Sequence, residues 1–196
     1  MKKIMMTLAA VCVAATMNAQ AYIGGGLGFQ TTKQGDNTNT VIMVEPELGY
    51  NLDENWAVGI SLGYGHTKQS TEVAGVETSV KTDVFTIAPY ARYTFVKLDK
   101  VNVFVDGGLS YTHTKVGDAK NNTFAIGFKP GVAVNLNEKL SFVTHVGFLG
   151  YQNSKDDVDG AKAANTFGFD LDGSNLSFGL YYNFEEKKAL KTFYKG

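Results

Sequence analysis

Cysteine and proline are nearly missing from this sequence: one Cys and three Pro stand in 196 residues. A lone thiol closes no disulfide within the chain and builds no Cys-based metal centre. Cys12 also lies in a segment expected to be removed. Val11 precedes it where a lipoprotein signal wants a small residue, so no lipid anchor is read there. No segment beyond the N-terminus holds about 18 consecutive apolar residues, which excludes a transmembrane helix. It does not exclude a membrane, because closed barrels cross with strands whose individual signal is weak. Excess charge of either sign is absent too: 18 Lys and Arg balance 19 Asp and Glu. No polyanionic partner is implied, and no nucleic acid.

What is present is glycine, 22 of it, with 13 Phe and 10 Tyr. That mixture suits many strands joined by turns. The N-terminus reads as a secretory signal: Lys2 and Lys3, an apolar run over residues 4–15, and a small-x-small site at Ala19-Gln20-Ala21. Residues 1–20 are expected to leave, with cleavage near Ala19 to Ala21. Residues 21–184 then form one domain, and 185–196 a basic tail.

From residue 21 the pattern is alternation. Eight runs are read, at 21–30, 40–51, 56–67, 82–96, 101–114, 123–135, 139–152 and 175–184. Successive side chains of a strand point to opposite faces, so each run divides in two. One face is apolar, as in Ile42, Val44, Leu48 and Tyr50, or Phe85, Ile87, Tyr93 and Phe95, or Leu140, Phe142, Val146 and Phe148. The other is small and polar: Gly24, Gly26, Glu45, Glu47, Ser61, Arg92, Asp106, Ser110, Gly127, Lys129, His145, Gly179. A water-soluble barrel has to fill its interior with bulky groups at crystal-like density. Glycines and carboxylates cannot, and the bulky face would be left in water as one band. Inverting the polarity removes both problems. The sequence therefore predicts an all-β fold, an eight-stranded antiparallel up-and-down transmembrane β-barrel with a lipid-facing apolar exterior and a polar lumen.

Connections near 52–55, 97–100 and 135–139 are short, and the alternate ones mostly longer, as periplasmic turns and outer loops are. Trp56, Tyr50, Tyr93, Phe95, Tyr182 and Phe184 fall near the short turns, where an aromatic girdle belongs. Val73-Ala74-Gly75-Val76 and Val116-Gly117-Asp118-Ala119 read as hairpin tips beyond the membrane. Pro46, Pro89 and Pro130 fit poorly, because each removes a ladder bond from a strand.

The last run, Ser177-Phe178-Gly179-Leu180-Tyr181-Tyr182-Asn183-Phe184, resembles the C-terminal β-signal of outer-membrane proteins. Ser177, Gly179, Tyr182 and Phe184 fill its polar, glycine, apolar and aromatic places. Pro46-Glu47-Leu48-Gly49-Tyr50, Ala88-Pro89-Tyr90-Ala91-Arg92-Tyr93 and Phe104-Val105-Asp106-Gly107-Gly108 are similar in texture to the small OmpA/OmpX-like group, the porin family of small outer-membrane barrels. The resemblance implies residence in the cell outer membrane of a Gram-negative bacterium. It also implies contact with its lipid and lipopolysaccharide, reading by the barrel-assembly machinery, and roles in adhesion or envelope integrity. Unlike many members of the group, the chain continues past the terminal aromatic.

Inward charges at Glu45, Glu47, Arg92, Asp106 and Lys129 predict a lumenal ion-pair network. A tip between Gly117 and Asp118 sets Asp106 opposite Lys129, and parity sets Arg92 opposite Asp106 or one step diagonal. Eight strands leave room for little more than side chains, so a plug is favoured over a narrow pore for small solutes or ions. A lipid-modifying enzyme comes third. His66 and His113 lie near the outer rim and His145 in the lumen, with no evident Ser–His–acid set. The acidic loop, with Asp156, Asp157, Asp159 and Asp170-Leu171-Asp172-Gly173, lacks the spacing of a calcium loop. No cofactor, metal or catalytic residue is predicted, and outer loops offer a surface for a ligand.

Overall fold

The computed structural model describes residues 20–34, 37–73, 76–158, 160–170 and 176–184. Residues 1–19 of the expected signal segment, with Cys12, the Ala74-Gly75 tip, Asp159, the Leu171-Asp172-Gly173 stretch and the 185–196 tail lie outside them. Ten strands follow one another: β1 (Ala21–Gln34), β2 (Asn37–Asn51), β3 (Trp56–Val73), β4 (Val76–Lys97), β5 (Val101–Val116), β6 (Ala119–Asn135), β7 (Leu140–Val146), β8 (Phe148–Asp156), β9 (Ala164–Asp170) and β10 (Leu176–Asn183). All pairings are antiparallel. β7 and β8 run end to end as the seventh barrel strand, and β9 and β10 as the eighth. β1 against β10 closes the eight-stranded barrel, with Tyr22 opposite Asn183 and Gly25 opposite Leu180. Among the described residues β9 pairs with β8 alone.

The polarity is inverted. Leu27, Phe29, Phe85, Phe128, Phe178 and Leu180 are exposed on the outside, Leu27 at 85 %. Arg92, Asp106, Glu47 and Ser61 are buried in the bore. No helix of the described residues is long and apolar enough to cross a membrane. The crossing is made by strands.

Strand lengths exceed the span of the bilayer. β4 has 22 residues, against the roughly 9–11 that a tilted strand needs. The excess forms hairpins on the outer side, where Val73 pairs Val76 and Val116 pairs Ala119. Gly117, with φ of 58°, occupies the left-handed place that this tight turn requires.

The prolines have a common explanation. Each is paired in register with the preceding strand: Pro46 with Gly25, Pro89 with Ile60, Pro130 with Val105. Toward the following strand the pairing lapses. It stops at Val44 and resumes at Glu47, and stops at Ile87 and resumes at Tyr90. The missing N–H thus falls where the ladder is already open. At Pro130 the lapse becomes a bulge. From Phe128 to Gly131 β6 advances three residues while the seventh strand advances four, from Leu149 to His145. Gly147, at φ 71°, is the extra residue.

That bulge corrects the sequence reading of the seventh strand. Phe142 faces outward, but the phase then flips, so Tyr151 is exposed and the Phe148 ring lies inside, over Gly127 and Gly150. The eighth strand flips as well. Phe167 and Phe169 are exposed on odd numbers, Phe178 and Leu180 on even ones. Residues 164–170, read from sequence as loop, are strand β9.

Two of the three short turns at the other end are built by one device. In Asn51-Leu52-Asp53-Glu54 the Asp53 Oδ1 accepts the N–H of Asn55 at 2.7 Å and of Trp56 at 2.8 Å. In Asn135-Leu136-Asn137-Glu138 the Asn137 Oδ1 accepts those of Lys139 at 2.9 Å and Leu140 at 2.7 Å. The two backbone bonds hold the Asp53 carboxyl below its ordinary range. A depressed folded value means that this stabilisation is full above the unfolded value of about 3.9 and is lost as pH falls through the folded one. The difference in urea midpoint between wild type and Asp53→Ala is therefore expected to shrink below about pH 4. The corresponding difference for Asn137→Ala, whose amide does not titrate, should stay constant.

Candidate functional site

Toward the short-turn end of the bore, five strands direct side chains at one another. Arg92 on β4 stands directly opposite Asp106 on β5. Its Nε donates to Asp106 Oδ1 at 2.7 Å and its Nη2 to Oδ2 at 2.8 Å. This is the two-pronged geometry in which guanidinium and carboxylate match best. Nη2 also lies 3.5 Å from Glu47 Oε1 on β2. Glu47 accepts the hydroxyl of Tyr181 at 2.7 Å and that of Tyr90, which in turn bonds Tyr22. Every buried charge therefore has partners, without which burial would be prohibitive.

Around the guanidinium sit four rings: Phe104 at 4.0 Å from Arg92 Cζ, Tyr90 at 5.3 Å, Tyr181 at 5.6 Å and Tyr22 at 5.9 Å. A desolvated cation over such faces gains on the order of 2 kcal/mol. Phe104 is only 1 % exposed.

Each ring crosses onto a glycine directly opposite it in the ladder. The pairs are Tyr22 and Gly49, Tyr90 and Gly59, Phe104 and Gly131, and Tyr181 and Gly24. A Cβ added at those glycines would come within 2.1–2.5 Å of a ring atom. The lumenal face is thus not uniformly small and polar, as the sequence reading had it. Strict parity would have found the rings, since Tyr22, Tyr90, Phe104 and Tyr181 share a phase with Gly24, Arg92, Asp106 and Gly179.

Two of the predicted charges stand apart from this cluster. Lys129 is opposite Asp106 in register, yet it is exposed to the cavity above and forms no ion pair among the described residues. Glu45 accepts a hydrogen bond from Ser61 Oγ at 2.7 Å instead of meeting Lys129. A residue absent from the predicted set takes the place of Lys129: His145 Nε2 lies 2.8 Å from Asp106 Oδ2. Above this cluster the bore opens into a cavity of about 540 Å³ bounded by Glu45, Lys129, His145, Phe148, Gln152 and Ser177.

Ser177 Oγ is 3.4 Å from His145 Nδ1. Serine, imidazole and carboxylate thus stand in the order of a nucleophilic triad, a juxtaposition the sequence reading did not find. Asp106, however, is already neutralised by the two-pronged bond to Arg92. Of the other β-signal residues, Tyr182 faces outward with its ring 5.2 Å from that of Phe184, and Gly179 lies against the backbone of Gly25. No group of three His, Cys, Asp or Glu among the described residues is arranged to hold a metal ion.

The ring–glycine pairs make a direct prediction. Gly131→Ala, which drives a methyl into the enclosed Phe104 ring, should destabilise the barrel by about 1–3 kcal/mol. Gly168→Ala, with no atom within 4 Å of its new methyl, should be nearly neutral. Reversible urea unfolding in detergent micelles, followed by tryptophan fluorescence, measures both.

Several solved structures are similar to this chain at low sequence identity. Neisserial surface protein A is 14 % identical at a TM-score of 0.45, over 83 % of this chain and 96 % of that one. The outer membrane protein OprG from Pseudomonas aeruginosa is 12 % identical at 0.47, over 83 % and 92 %. The beta domain of the Bordetella autotransporter BrkA is 15 % identical at 0.40, over 83 % and 82 %. Among curated proteins none matches by sequence. The sequence profile described as "Outer membrane protein beta-barrel domain" matches residues 4–184, and the chain belongs to that family, a β-barrel of the cell outer membrane.

Proposed function

We propose that this barrel is plugged and acts at its outer surface, in envelope integrity, adhesion or surface interaction, rather than by passing solutes. The observation that carries this reading is the cross-section at Arg92. There a guanidinium, two carboxylates and four aromatic rings meet within hydrogen-bond or van der Waals reach. The barrel-assembly machinery is its expected partner during biogenesis, through Ser177, Gly179, Tyr182 and Phe184. Outer-leaflet lipid and lipopolysaccharide are its expected partners afterwards.

The alternative, a narrow channel for small solutes or ions, draws on the cavity above the plug. Planar bilayers separate the two. Wild-type protein is expected to give no stable conductance steps, and Tyr90→Ala with Phe104→Ala to admit small ones. Large, stable steps from wild type would refute the plug.

A lipid-hydrolysing reading has the Ser177–His145–Asp106 alignment in its favour. Against it stand the long serine contact and the engagement of Asp106 by Arg92. A serine-directed fluorophosphonate is expected to leave Ser177 unlabelled in detergent-solubilised protein. Labelling that disappears in both Ser177→Ala and His145→Ala would replace the surface role with catalysis.

A further inference from the structure

The cluster around Arg92 and the cavity above it treat charge differently. In the cluster the chain meets each charge itself. Arg92 has Asp106 and Glu47, and Glu47 has the hydroxyls of Tyr90 and Tyr181. In the cavity two charges are left open. Lys129 on β6 makes no hydrogen bond or ion pair among the described residues. Glu45 on β2 is held through Oε1 alone, by the Ser61 hydroxyl at 2.7 Å, whereas a carboxylate has about four acceptor sites. Counted from β1, these are the second and sixth of the eight barrel strands, so they stand across the bore from each other.

The space between them is kept open by glycine. Gly26, Gly108, Gly127, Gly150 and Gly168 all line it, and a Cβ added at Gly168 would meet nothing within 4 Å. Its volume of about 540 Å³ falls among pockets that hold small molecules, roughly 300–1,000 Å³. Ser110 on β5, Gln152 on β8 and Thr166 on β9 line it too, and none of the three bonds another described side chain. Gln152 and Thr166 lie on the arc of wall that runs from β6 round to β1. Phe148, turned inward by the bulge, adds an aromatic face. The cavity thus offers a cation on one wall, a carboxylate on the facing wall, and unengaged amide and hydroxyl groups.

A charged group brought into this bore gives up water and needs an opposite charge in exchange. A simple anion would find Lys129 but would also face Glu45. A simple cation would meet the reverse. A molecule charged oppositely at its two ends satisfies both walls at once. Amide groups between those ends would engage Gln152, Thr166 and Ser110, and walls of glycine select no particular side chain.

We propose that this cavity is a binding site for short peptides of two or three residues with both termini free. The ammonium lies toward Glu45, the carboxylate toward Lys129, and the peptide groups bond Gln152 and Thr166. The inference goes beyond the surface role, and it does not depend on whether the bore conducts.

The test uses the full mature protein in detergent micelles, titrated by calorimetry with trialanine and with its N-acetylated and C-amidated forms. Wild type is expected to bind trialanine saturably and each blocked peptide at least about tenfold more weakly. Glu45→Gln should no longer tell trialanine from its acetylated form, yet should still prefer the free carboxylate. Lys129→Gln should show the converse. Gly168→Leu, which fills part of the cavity and changes no charge, should also weaken binding, and Glu54→Gln on a short turn should not. Absence of saturable binding to wild type, equal binding of free and blocked peptides, or unchanged discrimination in both charge variants overturns the proposal. A direct Glu45–Lys129 pair across the bore would overturn it too. In urea unfolding without peptide, such a pair would make each charge variant less stable and the double variant no worse than either. Heat-modifiable migration on a gel, retained by every variant, separates a lost site from a lost barrel, and the blocked peptides test the site in wild type alone.

Discussion

The bore of an eight-stranded barrel is about as wide as the side chains that point into it, so a large inward group needs an empty place beside it. Here the empty places are glycines, and each stands directly across the ladder from the ring that uses it. The four rings lie over neighbouring backbone and so form a box of aromatic faces about Arg92. That box makes a buried guanidinium tolerable, and the guanidinium makes Asp106 and Glu47 tolerable in turn. Loss of one glycine would displace a ring, and through it the whole charge cluster.

The wall obeys a separate constraint. In hydrocarbon an unpaired backbone group costs several kcal/mol, which should exclude proline from a spanning strand. The three prolines survive because each keeps its pairing on one side and faces a lapse in the ladder on the other. The same economy explains the paired phase changes. When the bulge at Gly147 turns the seventh strand over, the eighth must turn at the same height, or its pairing would set apolar side chains beside polar ones. Val146 against Leu176 and Phe148 against Asp170 mark the two sides of that dislocation.

Period-two alternation made the barrel legible, because lipid outside and side-chain bonds inside demand opposite chemistry on alternate residues. The register of Asp106 with Lys129 followed from one glycine turn, Gly117. What alternation hid were departures from it. Phe148 was misplaced because nothing in the sequence marks a bulge except Gly147, one glycine among 22. The aromatic box was hidden because its four rings interrupt lumenal rows that are otherwise small and polar. The exclusion of Lys129 in favour of His145 depends on reach across the bore, which register alone does not give.

The two ends of the barrel show how the same alternation serves opposite purposes. At the short-turn end Asp53 and Asn137 bond only their own backbone, and the aromatics there pack on each other, as Trp56 does on Tyr93 at 4.8 Å. That end is finished internally. At the other end Tyr64, Tyr111 and Tyr151 direct their hydroxyls upward into an ordered polar layer, and lysines stand above it in opposed pairs. The turns close on their own backbone, whereas the opposite rim carries a layer of side-chain hydrogen bonds between neighbouring strands, so the asymmetry between the rims is chemical as well as geometrical.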